Sequence, residues 1–323
     1  MRALVTGGNG FIGSILVERL VQENKVRCLV RKTSNLRWIE HLPIDLVYGE
    51  LRNPASLRAA VADVDIVFHL AGVTRGRVEA DYMDGNYKAT QNLLEACAAS
   101  DSLQSFVFVS SQAAGGPSRD QIPVTEDEAH QPVSAYGRAK RRAEEAVLQT
   151  APFPTTVIRP PSVYGPRDKD FFVLFKNIQK GILPMVGRGD QRISMVYISD
   201  LIDGILLAAT TESAHGHIFN ICSDEALSVW HLATTISETL SKRPLVLRLP
   251  LWLVDYASRI SEGVSRFSGK ASLLNRDKVT ELRQPSWLVS NQKAKKLLGF
   301  MPRVSLNEGL QTTADWYRDH HWL

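Results

Sequence analysis

A short strand running into a cluster of glycines constrains this chain more than any other feature. Ala3 to Thr6 is an apolar strand, Gly7-Gly8-Asn9-Gly10-Phe11-Ile12-Gly13 follows at once, and Ser14 to Gln22 shows helical spacing. Glycines let a backbone turn tightly and come close to a pyrophosphate. The helix that follows offers free N–H groups and the positive end of its dipole. Gly8 to Gly13 fits the dinucleotide fingerprint, with Gly7 as an extra glycine before it, and the strand–turn–helix context is the one that fingerprint requires. The plainer alternative is a glycine-rich turn with no ligand.

The remaining pattern extends this unit. Short apolar runs at Lys25–Val30, Asp45–Tyr48, Ile66–Leu70, Ser105–Ser110 and Thr155–Ile158 alternate with helical stretches from Pro54, over Met83–Ala99 and after Ser134. Such alternation predicts an α/β fold, a doubly wound parallel sheet of Rossmann type. With 323 residues, 44% of them hydrophobic, the chain has room for one large domain and a smaller, mostly C-terminal α+β lobe. The expected division is 1–165 plus about 193–221 for the dinucleotide-binding domain, and 166–192 plus about 222–323 for a substrate lobe.

Composition excludes several classes. A net charge of +4 without a long basic run argues against nucleic acid. No apolar run approaches the ~20 residues that span a bilayer. Cys28, Cys97 and Cys222 lack metal-ligand spacing, so no metal site is expected and the thiols read as reduced, in a cytoplasmic protein. The chain opens on a strand, with no signal peptide. Pro250 to Ile260 is amphipathic and reads as a lid, a core helix or a membrane-surface helix.

Two places carry chemistry. The second strand ends in Arg31-Lys32-Thr33-Ser34, with Arg31 standing 18 positions past Gly13 and no acid between Lys25 and Asn35. An NAD site usually has a carboxylate there for the ribose 2′-hydroxyl. Two cations suit a 2′-phosphate instead, so NADP is the expected cofactor. NAD bound without the usual acid, with Arg31 and Lys32 merely solvated, is the alternative. Further on, Ser134-Ala-Tyr136-Gly-Arg-Ala-Lys140 starts a helix. Positions four apart share a face, so Tyr136 and Lys140 can point into one space. A cation near the phenol is expected to lower its pKa and make a proton-transfer device for an alcohol or ketone.

Together these stretches resemble a known family. Thr6-Gly-Gly-Asn-Gly-Phe-Ile-Gly13, Glu50-Leu51, His69-Leu70-Ala71-Gly72, Val109-Ser110-Ser111, Tyr136-Gly-Arg-Ala-Lys140 and Arg159-Pro-Pro-Ser-Val-Tyr-Gly-Pro166 resemble the extended short-chain dehydrogenase/reductase superfamily. Its members include nucleotide-sugar epimerases and dehydratases, dihydroflavonol reductases and 3β-hydroxysteroid dehydrogenases. The resemblance implies a catalytic set of Ser111, Tyr136 and Lys140, with Ser110 as the alternative serine. It implies cofactor contacts from Gly7, Asn9, Gly10, Phe11 and Ile12, from Arg31, Lys32, Glu50 and Leu51, and from Leu70, Ala71, Gly72 and Val109. Pro160 and Val163 would meet the carboxamide, and Lys140 the nicotinamide ribose. A small-molecule substrate and a homodimer are implied in the same way.

The branch within the superfamily follows from departures. Dehydratases carry an acidic pair after the catalytic Thr; here Gln112 and Ala113 stand there and cannot do that work. Arg192 lies one residue out of the register in which epimerases hold nucleotide phosphates. Phe171–Met185 and Leu245–Trp252 are strongly apolar, which suits an apolar ketone or alcohol, or else simply packs the lobe's core. The expected activity is reversible NADP-dependent ketone/alcohol oxidoreduction. A UDP-sugar 4-epimerase with tightly held NAD comes second, and a non-catalytic cofactor sensor third.

Overall fold

The structure, a computed structural model, describes residues 1–100, 103–268 and 276–323. The first six strands are β1 (Arg2–Thr6), β2 (Lys25–Val30), β3 (Ile44–Tyr48), β4 (Ile66–His69), β5 (Ser105–Val109) and β6 (Thr155–Arg159). Then come β7 (Ser162–Tyr164), β8 (Ile182–Val186), β9 (Arg192–Tyr197), β10 (His217–Asn220), β11 (Ala226–Ser228), β12 (Leu245–Leu249) and β13 (Ser286–Trp287). Seven of these form one parallel sheet in the order β10-β6-β5-β4-β1-β2-β3.

This sheet is buried on both faces, and the two-residue period of its strands sorts side chains between two cores. Ala3 and Val5, Ile66 and Phe68, and Val107 and Val109 face one core. Leu4, Val67, Phe106 and Phe108 face the other. The helices Phe11–Leu20 and Ile198–Thr210 close the first core, and Ala89–Ala98 and Ala135–Thr150 the second. Smaller sheets lie beyond: β11-β9-β13 with β7 alongside β9, and a β12-β8 ribbon. The closing helix Leu306–Asp319 is capped by Ser305 and returns to the rest of the chain. There the Tyr317 hydroxyl donates to the Asp168 carbonyl at 2.8 Å.

Element types match the sequence reading, and several boundaries move. The first helix starts at Phe11, because Gly10 in extended conformation serves as its N-cap. The stretch from Pro54 yields only a 3₁₀ turn, Pro54–Ser56, and one short helix, Arg58–Val61. The helix expected over Met83–Ala99 begins at Glu79 and contains a π turn at Met83–Lys88.

One buried ion pair fixes the long helix Ala135–Thr150 to the sheet. Arg159, at the end of β6, donates from Nε and Nη2 to Glu144 at 2.8 and 2.6 Å, with both side chains out of solvent. Removing one member of such a pair strands the other charge. Arg159→Met is therefore expected to destabilise the fold by about 3–5 kcal/mol in denaturant titrations. Glu144→Leu added to it should restore most of the loss, because the charge and its partner then leave together.

Candidate active site

Strand order reverses between β1 and β4, and an open parallel sheet binds ligands outside that point. The loops after these strands touch. Gly7 has φ +74°, and a Cβ there would lie 2.8 Å from the Ala71 nitrogen. A Cβ on Gly13 would lie 2.2 Å from the Gly7 carbonyl oxygen. Glycine at both positions brings the start of the helix Phe11–Leu20 against the loops. That helix has no side-chain cap, which leaves its first N–H groups available to an anion.

A groove runs along this edge as two adjoining cavities of about 740 and 570 Å³ that share Gly7, Asn9, Gly10, Leu70 and Gly72. Arg31, Glu50, Leu51 and Ala71 line one end. Phe11, Ile12, Val109, Pro160 and Val163 line the other, with Ser111, Tyr136 and Lys140. Of the residues expected from sequence, Lys32 is the one that lines neither cavity.

Ser111 follows β5 and caps the short helix Gln112–Gly115, its hydroxyl accepting from the Ala113 amide at 3.1 Å, and it lies near enough to Tyr136 to pull the phenol's pKa down. The neighbouring Ser110 Oγ is buried without a hydrogen-bond partner among the described residues. Tyr136 sits in the first turn of Ala135–Thr150, whose N-cap Ser134 accepts from the Gly137 amide at 3.1 Å. Lys140, one turn on, is buried; its Nζ donates to the Val109 carbonyl at 2.9 Å and lies 4.6 Å from the Phe108 ring centre.

The electrostatics differ from expectation. Burial pushes the Tyr136 phenol up to about 12, against the pull of the Ser111 hydrogen bond, and Glu281 and Tyr82 push the same way as burial. The Lys140 ammonium donates to the Val109 carbonyl at 2.9 Å. Burial also lowers Lys140 to about 8. Tyr136 thus keeps its proton at neutral pH, the form in which it can donate to an alkoxide.

Some site residues escaped the sequence reading. Asn86, inside the π turn, binds the Val73 amide and carbonyl, each at 3.0 Å, and packs under Gly72. The helix Arg276–Leu282 supplies two carboxylates to the catalytic helix. Asp277 accepts from the Ala135 and Tyr136 amides at 3.0 and 3.2 Å, and Glu281 accepts from the Ser134 hydroxyl at 2.9 Å. Lys278 of that helix lines the cavity. Arg75 pairs with Asp170 at the cavity's edge. Only proximity in the fold reveals these roles, since each partner is more than 80 residues away or lies in a turn with no sequence signature.

The sequence profile of the NAD dependent epimerase/dehydratase family matches residues 3–222. The chain belongs to that family. A ketoreductase of Stigmatella aurantiaca, named for a farnesyl-bearing dihydroquinoline oxide, is 28% identical over 96% of this chain and 95% of its own. An Escherichia coli O157:H7 4-epimerase, named for a diphospho-undecaprenol-linked N-acetylglucosamine, is 26% identical over 97% and 94%. Bacillus cereus UDP-glucuronic acid 4-epimerase, solved with UDP-glucuronic acid and NAD, superposes with a TM-score of 0.80 at 26% identity over 99% and 100% of the chains.

The family's nicotinamide dinucleotide suits this site. The glycine contacts leave no space for a Cβ at Gly7 or Gly13, the helix end is uncapped, and the groove continues from Arg31 to Lys140. Among the described residues no cluster of His, Cys, Asp and Glu could hold a metal. With Lys140 lowered to about 8, turnover that needs its ammonium falls as pH rises through that value. Rate–pH profiles check this: Lys140→Arg, which stays charged throughout, should lose the limb. A wild-type profile flat from roughly pH 7 to 9 would contradict it.

Proposed function

We propose that the protein is an NADP-dependent oxidoreductase that interconverts a ketone and a secondary alcohol on a fairly apolar small molecule. The observation that carries this reading is that Ser111, Tyr136 and Lys140 line one cavity, with Gln112 and Ala113 where dehydration would need acids. When bound, the cofactor supplies or accepts the hydride. Ser111 hydrogen-bonds the substrate oxygen and orients it. Tyr136 delivers the proton to that oxygen during reduction and takes it back during oxidation. Lys140 holds the ribose, the glycine loop and helix end hold the pyrophosphate, and Arg31 holds the 2′-phosphate.

Support for reduction over epimerisation comes from Arg192. Its Nη2 donates to the Ala226 carbonyl at 3.1 Å, between β9 and β11, and it lines neither cavity. That bond, and the residue's place outside both cavities, count against a role on a nucleotide diphosphate. Phe171 reaches the cavity, which gives the substrate an apolar wall. The ketoreductase relative, named for a farnesyl-bearing compound, agrees with such a substrate. On this reading residues 166–192 and about 222–323 form the substrate lobe.

Two measurements test it. Arg31→Asp should weaken NADPH far more than NADH, since a charge-assisted contact is worth roughly 1.5–3 kcal/mol and the new carboxylate repels. Equal losses for both cofactors, or a wild type that prefers NADH, would refute the 2′-phosphate site. For the reaction itself, purified protein should consume NADPH stoichiometrically with an apolar ketone, and Tyr136→Phe should slow this by at least ~10²-fold with cofactor affinity little changed. Interconversion of UDP-glucose and UDP-galactose without added cofactor, with a nicotinamide retained through purification, would replace the reductase by an epimerase.

A further inference from the structure

The outer face of the β8–β12 ribbon is apolar. Its register sets Ile182 beside Leu245, Pro184 beside Leu247 and Val186 beside Leu249. Partners in a pair point the same way, and Leu183 and Met185 alternate with them into the core. The three pairs therefore form the outer face, where Leu245 is 67% exposed. Pro250 then leads into the helix Leu251–Ser268. Val254 and Ser258 of that helix are buried, while Trp252, Tyr256 and Ile260, four apart, make an exposed stripe with Trp252 at 70%. Soluble monomers seldom leave an apolar surface of this kind uncovered.

Charge indicates what covers it. Lys180, Lys242 and Arg243 stand exposed at one end of the ribbon and Arg188 at the other, where the Gly187 amide donates to the Leu249 carbonyl. Asp190 and Glu238 are the exposed acids nearest in sequence, and Asp255 is held by Arg259 and Arg283 at 3.1 and 3.2 Å. Trp and Tyr on an apolar face with a cationic rim suit the boundary of an anionic bilayer. A second copy pairing through this face would bring like-charged rims together.

We propose that this face docks the protein on an anionic lipid bilayer. The contact is peripheral, since no described helix is long and apolar enough to cross a membrane. It also connects to the active site. Asp255 pairs with Arg283, just past the helix Arg276–Leu282, and Asp277 of that helix holds the start of the Tyr136 helix.

The test needs no turnover. The full chain is sedimented with vesicles of phosphatidylcholine, and with vesicles of phosphatidylcholine and phosphatidylglycerol in roughly 3:1 ratio. It should bind the anionic vesicles and be released by salt. Lys242→Glu with Arg243→Glu should weaken binding at least ~10-fold. Trp252→Ser with Leu247→Ser should weaken it as well, while both double variants keep wild-type NADPH affinity as evidence of folding. The proposal fails if wild type ignores anionic vesicles or if the variants bind equally. It also fails if ultracentrifugation shows a dimer that Trp252→Ser splits into monomers.

Discussion

Everything in the site depends on how closely two loops and a helix end can approach. Gly13 lies against the Gly7 carbonyl, and Gly7 against the Ala71 amide, at distances that admit no side chain. This contact joins β1, its helix and the loop after β4 at the point where the winding of the sheet reverses. A single methyl group at either position would push the helix N-terminus away from the groove, and with it the free N–H groups that make the groove suited to a pyrophosphate.

Tyr136 and Lys140 depend on a second constraint, the fixing of one helix at its start and at its middle. At its start, Ser134, Asp277 and Glu281 occupy the amides and hydroxyl of the first turn. Further along, Glu144 is anchored by Arg159. Between these fixed points Tyr136 meets Ser111, and Lys140 meets the β5 carbonyl of Val109. Glu281 favours the protonated phenol as well as ordering the turn, because it adds to the burial that raises Tyr136.

The apolar stretches of the second half show how patterning alone can mislead. Phe171–Met185 and Leu245–Trp252 read as lining for a substrate or as core. In the fold they divide. Phe175, Ile178, Leu183 and Met185 are buried in the main core, Phe171 borders the cavity, and Ile182, Leu245, Leu247 and Trp252 face outward. Strand alternation and helix periodicity say that faces differ, and they do not say which face meets which neighbour.

The sequence by itself determined the parallel sheet, the glycine turn and the placing of Tyr136 and Lys140 on one face of a helix. Each is encoded locally: apolar runs of strand length, a glycine spacing, and a tyrosine and lysine one helical turn apart. Only the tertiary structure decided the rest. It gave the Arg192 side chain a hydrogen bond to the Ala226 carbonyl, set Lys140 against the Val109 carbonyl, and brought Asp277 and Glu281 against the start of a helix more than 140 residues earlier. Those outcomes depend on which distant elements pack together and how much water they exclude. Neither quantity is a property of any local stretch of chain.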